Sequence, residues 1–349
     1  MTGKLVICMV GLPARGKSFI AERVKTHYQE FYGNEESCRL FNAGKQRRQM
    51  ASDEEEETVG DEAGKVSGQP LLHRTITEQG YLNLASLDAQ AAHELSKRAM
   101  AVDAPKQTLF DTQNCEAVSR RDEIATATLD KMCRWLASDD SHRIGIFDAT
   151  NTTRSRRRLI IDTISRFGSG YQVLFLESIC NDEAVINRNI LHKVYRSPDY
   201  MHVEDKAWCY LDFQSRLRNY EKVYEKCDVG TEFAIKPDNI AGIGCLKVID
   251  LGLTLQLQGH TSRRCESELM CVLHNLYHKT ASTETFSRAR SFTFTRSSCS
   301  SSSSSLFSIP SLLLTNQELE FDNVSRAELE DDDEQPLEYS SLRQRKTTM

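Results

Sequence analysis

One octapeptide near the start limits what this chain can fold into. Gly11-Leu-Pro-Ala-Arg-Gly16-Lys17-Ser18 fits G-x-x-x-x-G-K-[ST], the pattern of a loop whose backbone N–H groups close around phosphate oxygens. Before it, Leu5 to Val10 is a β-branched apolar run that reads as a buried parallel strand. After it, Phe19, Ile20, Val24, Tyr28 and Phe31 recur at a helical period. The loop therefore opens a helix, whose N-terminus adds partial positive charge. In that setting Lys17 reaches the transferable phosphate and the Ser18 hydroxyl ligates Mg²⁺. A chance Gly-containing turn can spell the octapeptide, but it seldom brings the strand and the helix with it.

The rest of the composition narrows the class. The 349 residues leave room for one large domain or two modest ones. A net charge of −6 argues against a nucleic-acid scaffold or a general membrane-surface binder. No run approaches the length of a membrane span, and Gly-Leu-Pro-Ala-Arg-Gly interrupts the N-terminal apolar stretch, so no signal peptide is expected. None of the 11 cysteines falls in a C-x-x-C pair, and Cys8, Cys133 and Cys180 sit in apolar context as reduced thiols do. A cytoplasmic location is the expectation.

Short apolar runs alternate with helical patterns. Cys38 to Asn42, Arg143 to Asp148, Tyr171 to Glu177 and Cys245 to Leu251 read as strands. Phe110 to about Ala137, Leu159 to Arg166, Glu183 to Val194, Tyr210 to Tyr224 and Glu266 to Tyr277 read as helices. This predicts an α/β fold of the P-loop kinase type, with a mostly parallel central sheet and helices on both faces. Ala43 to Arg48 reads as a loop dense in positive charge, and about 49–106 as an acidic, then helical, insertion. The folded part is expected over 1–278. A Ser-rich, acidic, disordered tail is expected over 279–349. Leu312-Leu-Leu314 is a weak docking signal in it, and Ser291 after Arg288-Ala-Arg290 is a serine of the kind kinases modify.

Phosphoryl transfer needs charge, positioning and a metal more than covalent help. Asp148, at the tip of its strand, is the natural partner of Ser18 in holding Mg²⁺, although a strand-end Asp also caps helices. Arginine is the second theme. Arg47 and Arg48, Arg120 and Arg121, and Arg154, Arg156, Arg157 and Arg158 lie just after strands or at helix starts. Each pair alone suits a solvated helix face, but several together favour a phosphorylated acceptor. Unaided spacing thus reaches a P-loop kinase for a small anionic substrate.

Five motifs in order extend this. Gly11 to Ser18, Phe41-Asn42-x-Gly44-x-x-Arg47-Arg48, Phe147-Asp-Ala-Thr-Asn-Thr-Thr-Arg154-x-Arg156-Arg157, Glu177-Ser-Ile-Cys-Asn-Asp182 and Ser197-Pro-Asp-Tyr200 resemble the kinase half of the 6-phosphofructo-2-kinase/fructose-2,6-bisphosphatase family. The resemblance implies ATP-dependent phosphorylation of the 2-hydroxyl of fructose 6-phosphate. It assigns the ATP phosphates to Gly11, Leu12, Pro13, Ala14, Arg15, Gly16, Lys17, Ser18 and Phe19, with Asn189 in the segment over the nucleotide. It makes Asp148 the catalytic, metal-associated acid and gives fructose 6-phosphate to Arg47, Arg121, Thr150, Arg156, Arg216 and Tyr220. Cys180 matches a cysteine near the family's active site, a place where a core thiol serves equally well. Many members carry a lysine at the position of Val194, whereas here it comes at Lys193. One residue turns a helix face by about 100°. The earlier placement occurs in part of the family, which keeps Lys193 as the candidate for steadying the transferring phosphoryl group. Nothing resembles the bisphosphatase half: there is no Arg-His-Gly, and the tail is too short and polar to form that domain. The expectation is a monofunctional kinase.

Two other readings stay open at this point. One is another P-loop kinase acting on a small molecule, a nucleoside or a polynucleotide end. The other is a nucleotide-binding regulatory module without turnover. A homo-oligomer, and a kinase or docking partner for the tail, are likewise left open by the sequence.

Overall fold

A computed structural model describes residues 3–59, 108–259, 261, 263–278 and 293–297. β1 (Leu5–Val10) runs through the sheet with every residue buried, as its unbroken apolar spelling requires. It pairs in parallel with β3 (Ile144–Asp148) on one side and β4 (Tyr171–Ile179) on the other. β2 (Cys38–Asn42) pairs in parallel with β3, and β5 (Ile240–Ile249) with β4. β6 (Thr254–Gly259) is antiparallel to β5, and β7 (Thr293–Ser297) is parallel to β6. The order β2-β3-β1-β4-β5-β6-β7 places β1 where connections leave to opposite sides. Such a switch point is where α/β sheets bind ligands, beyond the carboxyl ends of the strands.

The described helices, in chain order, are α1 (Lys17–Tyr32), α2 (Ala43–Val59), α3 (Cys115–Ser138), α4 (Arg154–Ser165), α5 (Glu183–Arg196), α6 (Lys206–Val223), the single turn α7 (Val229–Glu232) and α8 (Arg263–His278). Alternate β1 residues face opposite sides, as strand geometry dictates. Val6, Cys8 and Val10 meet Leu129, Met132 and Leu136 of α3 and Ile160, Ile161 and Ile164 of α4. Leu5, Ile7 and Met9 meet Ile20, Val24 and Tyr28 of α1 and Leu269 and Leu273 of α8. Each such aliphatic side chain contributes about 1.5–3 kcal/mol on burial. A third apolar cluster joins Ile190, Leu191 and Val194 of α5 to Cys209, Tyr210, Phe213 and Leu217 of α6, with Tyr200 between the helices. Leu12 and Ala14 pack against this cluster, so α5 and α6 stand over the end of β1.

The mostly parallel α/β architecture matches the expectation, and four local readings do not. Ala43 to Arg48 is the first part of α2, not a loop. Asn42 Oδ1 accepts the Lys45 N–H at 2.9 Å, an N-terminal cap, and the Lys, Gln, Arg, Met and Glu that follow are strong helix formers. Phe19 and Phe31 lie off the buried stripe of α1, each 46% exposed, because that stripe runs through Ile20, Ala21, Val24 and Tyr28. β6 is not predicted from sequence, because Thr254-Leu-Gln-Leu-Gln-Gly259 shows only a brief alternation. β7 falls inside the stretch expected to be a disordered tail; Thr293-Phe-Thr-Arg-Ser297 is rich in strand-forming residues and pairs with β6. The insertion expected beyond Val59, Ser291 and Leu312–Leu314 lie outside the described residues. Cys8, Cys133 and Cys180 are buried free thiols, and burial pushes Cys133 up to about 12.

Candidate active site

The loop after β1 is tied down from three directions. Gly11 takes φ +136° and its N–H donates to the Thr150 carbonyl at 2.9 Å; a Cβ there would stand 2.6 Å from the Ser178 carbonyl oxygen. The Asn189 amide donates to the Ala14 carbonyl at 3.0 Å, and the Ser178 hydroxyl to the Arg15 carbonyl. Asn151, buried at φ +47°, donates to the Met9 carbonyl at 2.8 Å. Gly16 closes the loop at φ +80° and starts α1 with no side-chain cap and no acid in the first turn. By contrast α3, α4, α5 and α6 each have a capping side chain, from Asn114, Thr153, Asp182 and Asp205. An uncapped N-terminus keeps its N–H groups for an anion.

Lys17 and Ser18 lead α1 at this end. Lys17 is 8% exposed and its ammonium donates to the Leu12 carbonyl at 2.6 Å. Burial lowers its pKa to about 8, with Asp148 opposing and Lys193 and Arg15 adding to the fall. The Ser18 hydroxyl donates to Asp148 Oδ2 at 2.7 Å, and the Asn42 amide donates to the same oxygen at 2.8 Å. Asn42 and Asp148 are register partners at the ends of β2 and β3. A buried carboxylate beside a hydroxyl is an oxygen-donor set of the kind Mg²⁺ takes.

The second half of the site is a cavity of about 260 Å³ lined by Arg47, Phe110, Asp199, Tyr200, Val203, Trp208 and Arg216. The Arg216 guanidinium lies 3.7 Å from the Phe110 ring centroid and donates to the Tyr200 hydroxyl at 3.0 Å. The Tyr200 hydroxyl in turn donates to the buried Asp212 carboxylate. Arg47 Nη2 meets Asp199 Oδ1 at 2.5 Å, Arg48 reaches the same oxygen at 3.3 Å, and Arg216 reaches Oδ2 at 3.4 Å. Burial alone would raise the Asp199 pKa; Arg47, then Arg216 and Arg48, hold it below the usual carboxylate range.

The remaining expected residues lie around these two halves. Tyr220 is buried with its ring 6.4 Å from Phe110. Arg121 donates to the Leu109 and Asp111 carbonyls, and burial lowers its pKa. Arg156 pairs with Asp122, its Nε at 2.6 Å. Thr150 meets the loop through its carbonyl. Cys180 is buried at the end of β4, near Arg15. Lys193 is exposed one helical turn beyond Asn189, while Val194 fills the α5–α6 cluster with no exposed surface.

The arginine clusters do not act as clusters. Arg157 is fully buried in a two-bond pair with Glu232, at 2.7 and 2.8 Å, and donates to the Asn151 carbonyl at 3.0 Å. Arg154 pairs with Glu225 at 3.7 Å and Arg120 with Glu123 at 3.5 Å, both on the surface. On a helix only every third or fourth residue shares a face, so consecutive arginines part company. Asn42 and Asp199 touch the central groups, and neither is among the site residues expected from sequence. A strand-end Asn in register with a strand-end Asp was the available signal for the first.

The loop, the uncapped helix and the Ser18–Asp148 contact on a mostly parallel sheet define a P-loop protein of the kinase class. The sequence matches the family described as 6-phosphofructo-2-kinase over residues 1–67 and 67–249, and the chain belongs to that family. It is 34% identical over 224 residues to 6-phosphofructo-2-kinase 1 of Saccharomyces cerevisiae, covering 64% of this chain and 21% of that one. It is 33% identical over 228 residues to a 6-phosphofructo-2-kinase/fructose-2,6-bisphosphatase of Arabidopsis thaliana, covering 65% and 23%. Over 268 residues it is 29% identical to one of Caenorhabditis elegans, covering 76% and 46%. The chain thus spans less than half the length of these relatives. No described helix is long and apolar enough to cross a membrane.

Proposed function

We propose that the chain transfers the γ-phosphoryl group of ATP to the 2-hydroxyl of fructose 6-phosphate, making fructose 2,6-bisphosphate. The observation that carries this reading is the run from Asp148 through Asn42 to Arg47. Asn42 touches Asp148 and caps α2, and Arg47 stands on α2 five residues later, in the wall of the second cavity. Five residues of helix advance about 7.5 Å, a separation on the scale of a hexose phosphate. An acceptor hydroxyl can lie near Asp148 while the 6-phosphate reaches Arg47 and Arg216.

In this reading the uncapped N–H groups of α1 and the Lys17 ammonium hold the nucleotide phosphates, and the Asn189 bond fixes the loop around them. Ser18 and Asp148 are the residues that would hold Mg²⁺, whose chemistry when bound is to neutralise charge on the phosphate oxygens. Lys193 adds a positive charge at the open side of the loop, and Arg47 and Arg216 orient the sugar by its phosphate. Tyr220, Arg121, Arg156 and Thr150 complete the sugar side. The test is to incubate purified chain with ATP, Mg²⁺ and fructose 6-phosphate and assay an acid-labile bisphosphate. Product is expected from the unaltered chain and not from Lys17→Met or Asp148→Ala. No product, or transfer only to a nucleoside or polynucleotide hydroxyl, would overturn the reading.

A further inference from the structure

Two carboxylates in this protein meet guanidinium groups in different ways. Glu232 gives both oxygens to Arg157 in parallel bonds, and neither side chain is exposed. That is a closed structural pair, with the charge of each side fully answered. Asp199 divides its two oxygens among Arg47, Arg48 and Arg216, one nitrogen from each, at 2.5, 3.3 and 3.4 Å. Arg47 and Arg216 keep the rest of their planar forks at the cavity wall, where each is partly exposed. At the cavity wall Arg47 and Arg216 share this one carboxylate, which leaves net positive charge facing the space where a phosphate monoester would sit.

The Asp199 carboxylate is itself held firmly. It sits in the turn Ser197-Pro-Asp-Tyr200, where the Ser197 hydroxyl accepts the Asp199 N–H at 3.3 Å and the Ser197 carbonyl accepts the Tyr200 and Met201 N–H groups at 2.9 and 2.8 Å. Lys206 donates to the Tyr200 carbonyl at 2.8 Å. The arginines it gathers come from two separate elements, α2 and α6. Asp212, the next carboxyl inward, accepts the Tyr200 hydroxyl, and burial raises its pKa although Arg216 opposes the rise.

Resting on the sugar-phosphate kinase reading, we propose that Asp199 is a positioning residue for the phosphate end of the acceptor pocket. It draws Arg47 and Arg216 to one place with single bonds and leaves their remaining N–H groups and net charge for the substrate dianion. It acts through the arginines and does not touch the reacting atoms.

The experiment compares the unaltered chain with Asp199→Asn, Arg216→Lys and the double variant, in ATP–Mg²⁺ turnover with fructose 6-phosphate varied, melting temperature being followed alongside. Asp199→Asn is expected to raise KM for fructose 6-phosphate about tenfold while kcat and KM for ATP stay within about twofold. The double variant is expected to be far less than multiplicative, since both changes disable one device. An unchanged KM, a lowered KM that marks Asp199 as a mere competitor of phosphate, or an equal loss in kcat and in both KM values would each overturn the role. Should Asp199→Asn not fold, Asp199→Glu keeps the charge and displaces it by one methylene, with the same KM-only effect expected. If the unaltered chain turns over no fructose 6-phosphate, the kinase reading fails by itself. Calorimetric binding of inorganic phosphate then judges Asp199 alone: weaker binding in the variant supports the positioning role, and equal or tighter binding overturns it.

Discussion

The Ser18 hydroxyl and the Asp148 carboxylate are separated by 130 positions in the chain and by 2.7 Å in space. The contact joins the start of α1 to the end of β3, and the Asn42 amide completes it at 2.8 Å. With the charge removed and the shape kept, Asp148→Asn is expected to lower kcat by about 10²–10³. Nucleotide binding measured without turnover should change far less. A variant that keeps kcat within twofold would remove Asp148 from the chemistry.

Lys17 makes the unliganded site sensitive to alkaline pH. Its pKa falls from 10.5 to about 8 because the ammonium is buried. The folded chain therefore releases this proton before the unfolded chain does. The associated stability is present above 10.5 and is lost as pH falls through about 8. A bound triphosphate favours the charged form, so nucleotide affinity should weaken as pH rises past 8, and binding near that pH should take up protons. Calorimetry in buffers of different ionisation enthalpy checks the uptake, and Lys17→Met should abolish it.

Lys193 and Val194 offer a sharper contrast than either alone. Lys193→Ala is expected to lower kcat about tenfold or more with melting temperature unchanged, because its side chain is exposed. Val194→Lys moves an ammonium into the apolar cluster of Ile190, Leu191 and Phe213 and is expected to destabilise the fold by about 3 kcal/mol or more. Denaturant unfolding measures the second, steady-state turnover the first. Activity restored to Lys193→Ala by adding Val194→Lys would show that the two positions are interchangeable.

Arg157 and Glu232 form a pair whose members depend on one another. Arg157→Met alone leaves a buried carboxylate and is expected to cost about 3–5 kcal/mol, whereas Arg157→Met with Glu232→Leu should recover most of that loss. Asn151 loses a donor at its carbonyl in both variants, so the double variant also reports how far the loop after β3 leans on this arginine. Urea titrations of the three chains give the coupling directly.

The elements read most clearly from sequence were those in which local pattern and burial agree. β1 is apolar throughout because helices cover both faces, and the following loop carries its glycines where φ is positive. α2 was hidden by charge: Ala43 to Arg48 is polar enough for a loop, and its helical state depends on an Asn42 cap that is visible only as a contact. β7 was hidden for a different reason. A short strand in a polar stretch acquires its identity from a partner, here β6, that lies far from it in sequence. In the site, residue type was informative and direction was not. Arg156 and Arg157 are neighbours in sequence, yet one reaches the partly exposed Asp122 and the other is fully buried against Glu232.

The apolar cluster between α5 and α6 has one further consequence. Leu12 and Ala14 of the phosphate loop pack against it, and its Tyr200 and Phe213 rings lie 5.9 and 5.6 Å from the Arg216 guanidinium. A single small body of side chains therefore backs both places where substrates would dock. If one substrate orders that body, less entropy is left to lose when the second arrives, and any such synergy is reciprocal by thermodynamic necessity.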